Sequence, residues 1–203
     1  MTTAQTQKLT FDNFSEKCPE KGIYEFVNGE IVEVRATRNH DDVANFLLFS
    51  FNDEIRRLNL NLVVTNTVVI KKLRKDGVEQ GINPDVSVIY RTIWRSNRSD
   101  YNALQMPIQL AVEVTSTNWE DDYVDKLDEY QRLGITEYWI VDYLAIASRA
   151  YLGNPKVPTV FVFYLDKNAK YRQTQFRGAE QITSPTFPEL SLTAEQVLTA
   201  EKN

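Results

Sequence analysis

Apolar and polar residues alternate through IYEFVNGEIVEVR, residues 23–35, in two runs joined by Asn28-Gly29. Alternation puts one set of side chains on each face of a strand, and Asn-Gly tolerates the positive φ angles of a tight turn, so the stretch predicts a β-hairpin. The period then changes. In NHDDVANFLLFSFNDEIRRLN, Val43, Leu47, Phe51, Ile55 and Leu58 recur at helical spacing after a polar start at Asn39 and Asp41, which predicts a long, deeply packed helix. Three strand-like segments rich in β-branched residues follow: LVVTNTVVIKK, NPDVSVIY and IQLAVEVTS. Between the last two, the polar and basic RTIWRSNRSDYNALQM reads as a loop or short helix. WEDDYVDKLDEYQRLG returns to helical period, with Tyr123, Leu127 and Tyr130 on one stripe and Gly134 at a natural stop. TEYWIVDY is a further strand, and PTVFVFYLDKNAKYRQTQF reads as a hairpin turning near Asp166 to Asn168. The order hairpin, helix, strands, helix, strand predicts an α/β fold, a mixed sheet flanked by helices.

No repeat, low-complexity tract or Pro/Gly/Ser-rich linker interrupts the 203 residues. The chain therefore reads as a single domain over 1–203, with an N-terminal extension over about 1–20 and a C-terminal tail over about 183–203. A composition of 42% hydrophobic and 25% charged residues is that of a globular protein rather than a disordered chain. No apolar run approaches the roughly 20 residues of a membrane helix, and MTTAQTQKLTFDNF lacks the pattern of a signal peptide. A cytoplasmic location without membrane contact is the expectation. With one cysteine, Cys18, and one histidine, His40, neither an internal disulfide nor a Cys/His zinc site can form. A net charge of −5 argues against extended tracking along nucleic acid, although the distribution of charge matters more than its sum. Gly-rich phosphate loops and the G-x-S-x-G elbow are absent.

The chemistry centres on Glu113. In LAVEVTS it stands among Leu110, Ala111, Val112 and Val114, and a buried carboxylate must find a cation, donors or a metal, or give up its charge. Asp85 follows Pro84, which holds Asn83 extended at the head of another strand. If the two strands are neighbours, Asp85 and Glu113 converge. Two hard oxygen ligands suit Mg2+ or Mn2+, which retain several waters. Thr115, two residues after Glu113, is not a lysine, so a cation has to come from elsewhere. Lys126 is four residues from both Asp122 and Tyr130, which puts all three on one helix face able to reach the site.

This set of residues resembles the PD-(D/E)XK nuclease superfamily, and within it the Uma-type restriction endonuclease family abundant in cyanobacteria. The resemblance runs from YEFVNGEIVEV through NPDVSVI, LAVEVTS and DDYVDKLDEYQRLGITEYWIVD to FPELSLTAEQVL, and VEVTS with DYVDKLDEYQRLGITEYWIVD is its most specific part. It implies a restriction-endonuclease-like fold and a metal-dependent endonuclease that hydrolyses phosphodiester bonds in DNA with Mg2+ or Mn2+. It further implies Asp85 and Glu113 as metal ligands and Lys126 as the superfamily's lysine moved from strand to helix, the three forming the catalytic set. Thr115 in the usual lysine position is typical of this branch. His40 matches the family's histidine at the start of its first long helix, and Glu25 and Glu30 match its E…GE hairpin. Cutting both strands is easier with two sites, so a homodimer belongs to the same expectation.

Each residue also has a purely structural reading. Asp85 suits a turn or cap, Glu113 a buried ion pair, His40 a helix-start or surface group beside Asp41 and Asp42, and Tyr130 core packing. Glu25 and Glu30 suit solvent-facing hairpin positions, while Glu137, Trp139 and Asp142 suit the sheet. Arg91, Arg95 and Arg98, interleaved with Trp94, suit either a solvated loop or contacts to phosphate. The alternative function is a non-catalytic nucleic-acid-binding or interaction protein that keeps the nuclease fold.

Overall fold

The computed structural model describes residues 8–19, 22–33, 36–73, 77–96, 103–104 and 106–202. The elements in chain order are α1 (Phe11–Lys17), β1 (Tyr24–Val27), β2 (Glu30–Glu33), α2 (Arg38–Arg57), β3 (Leu62–Thr65), β4 (Val69–Leu73), β5 (Glu79–Ile82), β6 (Val86–Tyr90) and α3 (Arg91–Ser96). Then come β7 (Ala103–Leu104), β8 (Leu110–Val114), a π-helical stretch (Asp121–Lys126) running into α4 (Leu127–Leu133), β9 (Glu137–Asp142), α5 (Arg149–Leu152), β10 (Thr159–Leu165), β11 (Tyr171–Phe176) and α6 (Ala194–Leu198). None of the described helices is long and apolar enough to cross a membrane.

The hairpin forms as its pattern predicts: Asn28 and Gly29 take φ angles of 53° and 86° between β1 and β2. The long helix starts one residue before Asn39, where the Thr37 hydroxyl caps it by accepting from the His40 amide. Gly134 ends α4 in the left-handed region at φ 78°. The turn between β10 and β11 closes on Asp166, whose Oδ1 accepts from the amides of Asn168 and Lys170.

The α/β class holds, but the strands divide into two sheets rather than one. A six-stranded sheet has the order β11-β10-β9-β8-β6-β3, and a five-stranded sheet the order β2-β1-β5-β4-β7. Both are mixed, with β8–β9 and β4–β7 parallel and the other pairs antiparallel. LVVTNTVVIKK, expected as one strand, supplies a strand to each sheet. Its break falls at Asn66 and Thr67, where the Thr67 amide donates to the Thr65 hydroxyl, a local turn that competes with the ladder. The basic segment begins as the short helix α3, while Arg98 lies outside the described residues.

Two cores sandwich the larger sheet. On one face α2 and α6 bury Leu47, Phe51 and Val197 against Val112, Trp139 and Val162. On the other, Ile89, Ala111, Ile140 and Phe161 meet Ile70 and Ile82 of the smaller sheet, with Tyr123 and Tyr130 between. The outer face of the smaller sheet is covered by α1, where Phe11 and Phe14 pack on Phe26 and Val69. Gly81 permits this approach: a Cβ there would stand 2.6 Å from Val69 Cγ1 and 2.8 Å from Phe11 Cε2. Gly81→Ala should therefore destabilise the fold by about 1–3 kcal/mol, an overpacking cost that outweighs the entropy gained by losing a glycine. Urea denaturation reads this directly, and an unchanged midpoint would mean that α1 shifts away at no cost.

Candidate active site

Antiparallel pairing of β6 with β8 sets Val86 opposite Val112 and Ser87 opposite Ala111. Continued by one residue, that register sets Asp85 opposite Glu113, on the sheet face that carries Ala111 and Ile89. Asp85 is fixed from two directions. Its Oδ2 accepts a 2.7 Å hydrogen bond from the Val114 amide, and His40 Nε2 lies 3.1 Å from the same oxygen. His40 is carried there by the first turn of α2. The ring is mostly buried, which by itself disfavours its charge. The hydrogen bond to Asp85 and the charges of Asp85, Asp41 and Glu113 outweigh that, so its pKa lies above the ordinary histidine value.

Glu113 is 2% exposed. Tyr130 Oη donates to its Oε1 at 2.5 Å, and Lys126 Nζ sits 2.8 Å from its Oε2. Lys126 also reaches Asp122 Oδ1 at 3.3 Å, as its i,i+4 spacing allows. Asp122 and Lys126 leave the helix at a π-helical stretch, Tyr130 follows on α4, and the Tyr138 hydroxyl pins the wider turn by donating to the Asp122 carbonyl at 3.0 Å.

The electrostatics show too little positive charge. Burial first, then the repulsion of Asp85 and Asp122 against the pull of Lys126, pushes the Glu113 carboxyl up to about 8. Burial and Asp85 similarly push Asp122 up to about 6. Burial works against the charge on Lys126, but the carboxylates of Glu113 and Asp122 hold its ammonium above the ordinary lysine range. Burial and then Glu113 raise Tyr130, so its hydroxyl stays a donor. Lys126 thus remains charged while the carboxylates around it compete for neutralisation.

A divalent cation suits this donor set. Asp85 and Glu113 offer hard oxygens, and Mg2+ is ordinarily held by one or two carboxylates with waters completing the shell. Among the described residues no three His, Cys, Asp or Glu side chains form a cage of their own. Polar atoms for bound waters are at hand. Buried His40 Nδ1, Ser87 Oγ and Thr115 Oγ1 lack hydrogen-bond partners among the described residues, and Ser87 and Thr115 each stand two residues from a site carboxylate.

The other candidates separate clearly. Glu25 alternates with Phe26, so it faces inward from β1, and its charge acts on Lys126 and Tyr130. Glu30, opposite Val27, shares that face but is exposed on the edge strand. Glu137 is structural: its carboxylate accepts from Trp139 Nε1 and the Thr186 amide, holding the C-terminal segment to the sheet. Asp142 likewise accepts from the amides of Ile146 and Ala147. Arg91 ties itself to the Leu62 carbonyl, and α3 begins at the far end of β6 from Asp85. Six residues at about 3.3 Å each put it roughly 20 Å from the carboxylates. Asp122 joins the site as a residue that the sequence marked only by its spacing from Lys126.

Comparison with known proteins supplies a family. A solved structure, described as "Crystal structure of a putative nuclease belonging to DUF820 from Anabaena variabilis", matches at 17% identity with a TM-score of 0.68, covering 95% of this chain and 99% of that one. At that identity the likeness is one of fold. No curated protein matches the sequence. The model of the Uma2 family, described as "Putative restriction endonuclease", matches residues 11–195, a span that takes in both sheets and every residue of the carboxylate–lysine cluster. The chain belongs to the Uma2 family and shares the fold of that solved structure.

Proposed function

We propose that this protein is a divalent-metal-dependent endonuclease that hydrolyses phosphodiester bonds in DNA, with Asp85 and Glu113 as ligands of Mg2+ or Mn2+. The observation that supports it best is the meeting of two carboxylates from adjacent strands with a lysine ammonium 2.8 Å from one of them. When bound, such an ion polarises a phosphoryl oxygen and lowers the pKa of a coordinated water. The chain's own groups do the rest. His40 and the Val114 amide orient Asp85, and Tyr130 orients Glu113. Lys126, with its ammonium 2.8 Å from Glu113, is placed to donate to a phosphate oxygen and offset developing negative charge. Cutting both strands of a duplex calls for two such sites, which a second copy of the chain would provide.

Supercoiled plasmid incubated with the purified protein in Mg2+ or Mn2+ tests this reading. The parent should nick or linearise it, and Asp85→Asn should lose at least about 100-fold in rate. Asparagine keeps an oxygen for the Val114 amide, so the fold should survive. Tight, metal-independent binding with no scission would instead favour a non-catalytic binder in which Glu113 is only the structural partner of Lys126.

A further inference from the structure

The basic residues that the sequence offered for phosphate contact, Arg91 and Arg95, stand at the wrong end of β6. A polyanionic backbone crossing the Asp85–Glu113 site needs cations at the site itself. Lys126 is one, and the smaller sheet supplies a second.

Lys72 is the fourth residue of β4. Its face follows from register. Lys71 pairs with Gly81 and Gly81 with Phe26, and all three turn outward to α1, where Lys71 lies over the Phe11 ring and pairs with Glu79 at 2.6 Å. Lys72 therefore turns the other way, with Ile70, into the layer shared by Tyr130 and the Glu113 face of the larger sheet. The next residue is bound to α4: Arg132 Nη2 donates to the Leu73 carbonyl at 2.6 Å. Lys126 and Glu129 precede Arg132 by two turns and one turn, so Lys72 lies along the helix whose first residues build the site.

Lys72 is half-buried, yet among the described residues its ammonium makes no hydrogen bond or ion pair. Glu129, the nearest obvious partner, is already occupied at both oxygens by Arg132. Burial, only partly offset by Glu129 and Glu25 and aided by Lys126, lowers its pKa, as expected for an ammonium close to the site but not neutralised. An uncommitted lysine flanking an acidic metal site is suited to an anion delivered from outside.

We propose that Lys72 is a phosphate-binding residue of this site, holding a backbone phosphate of the DNA beside the one that is cut. The assignment rests on the nuclease reading and adds to it a direction for the substrate, across the end of β4 toward α4. Lys72 acts in binding, while Lys126 acts at the reacting phosphate.

Binding of a fluorescent duplex in Ca2+ across 50–200 mM salt, together with steady-state cleavage in Mg2+, tests it. Relative to the parent, Lys72→Ala should reduce the slope of log affinity against log salt by about 0.9, the value for one lost phosphate contact. It should raise KM severalfold and leave kcat within about threefold, the pattern of lost uniform binding. Lys72→Arg should restore slope and KM, whereas Lys71→Ala, on the opposite face, should match the parent in both. A parental slope and KM in Lys72→Ala would overturn the proposal while leaving the nuclease reading intact. So would a Lys72→Arg variant as impaired as Lys72→Ala, since that result marks a packing role. If the parent itself neither binds nor cuts DNA, the nuclease reading falls, and the role of Lys72 falls with it.

Discussion

Replacing Lys126 by alanine should cost the metal-free protein about 2–4 kcal/mol at pH 8 and much less at pH 5, and should slow DNA cleavage by at least about 100-fold. The stability loss follows from geometry: the ammonium is the shared counterion of Glu113 and Asp122, at 2.8 and 3.3 Å, with its side chain only 20% exposed. Removing one partner of a buried pair leaves the other charge uncompensated, which ordinarily costs about 3–5 kcal/mol. Protonation of the stranded carboxyls caps that cost. Their folded pKa values already lie above the ordinary ones and would rise further, so the folded variant binds protons more tightly than the unfolded chain. The penalty is thus absent at low pH and grows as pH rises. Urea denaturation at pH 5 and pH 8, with single-turnover cleavage well below the melting temperature, reads both effects, and Lys71→Ala serves as the control. A variant as stable as the parent at pH 8 would show that the ion pair does not form in solution. One that cuts at the parental rate would remove Lys126 from the chemistry.

What the sequence revealed and what it hid divide along a physical line. Asn28-Gly29, the stripe from Val43 to Ile55 and the apolar run around Glu113 are local patterns, and each became the predicted element because turn chemistry and periodicity act over a few residues. Sheet membership is not local. Val63 and Val69 look alike in the sequence, yet one pairs within the larger sheet and the other within the smaller, because the choice depends on which distant strand each meets. β5 carries no local signature for a related reason: Glu79–Ile82 contains Gly81, a poor strand former, and it is kept there by the closeness of α1. At the site, Asp85, Glu113 and Lys126 were legible from an acidic residue in an apolar strand and from helical spacing. Their ties to Val114, Tyr130 and Asp122 were not, since these depend on register and on the π-helical turn. The arginines of α3 kept two readings open, because a basic segment reveals its charge but not the end of the strand on which it sits.

The metal-free protein should lose stability as pH rises from about 5 to about 8, and Mn2+ should restore it. Glu113 and Asp122 have folded pKa values raised above the ordinary carboxylate range, to about 8 and about 6, so their contribution is fully present below the unfolded values and is lost as pH climbs through the folded ones. His40, also raised, changes stability in the same direction: its favourable charge beside Asp85 is lost as pH rises through its folded value. A divalent cation bound by Asp85 and Glu113 requires the deprotonated carboxylates and cancels their repulsion, so its stabilising effect should be larger at pH 8 than at pH 6. At a hundredfold excess over its Kd the ion contributes about 2.7 kcal/mol, or roughly 5–10 °C in melting temperature for a chain of this size. Glu113→Gln should flatten the metal-free pH profile, because the group with the most raised carboxyl pKa is gone, and should cut the Mn2+ response by more than half at pH 8. Glutamine keeps an oxygen to accept from Tyr130, and Lys126 keeps Asp122, so the variant should fold. Thermal melts of parent and variant at pH 6 and pH 8, with and without Mn2+, contain all of these comparisons. An undiminished Mn2+ shift in Glu113→Gln would place the ion at other ligands, and a flat parental profile would mean that solvent reaches Glu113 more freely than its burial implies.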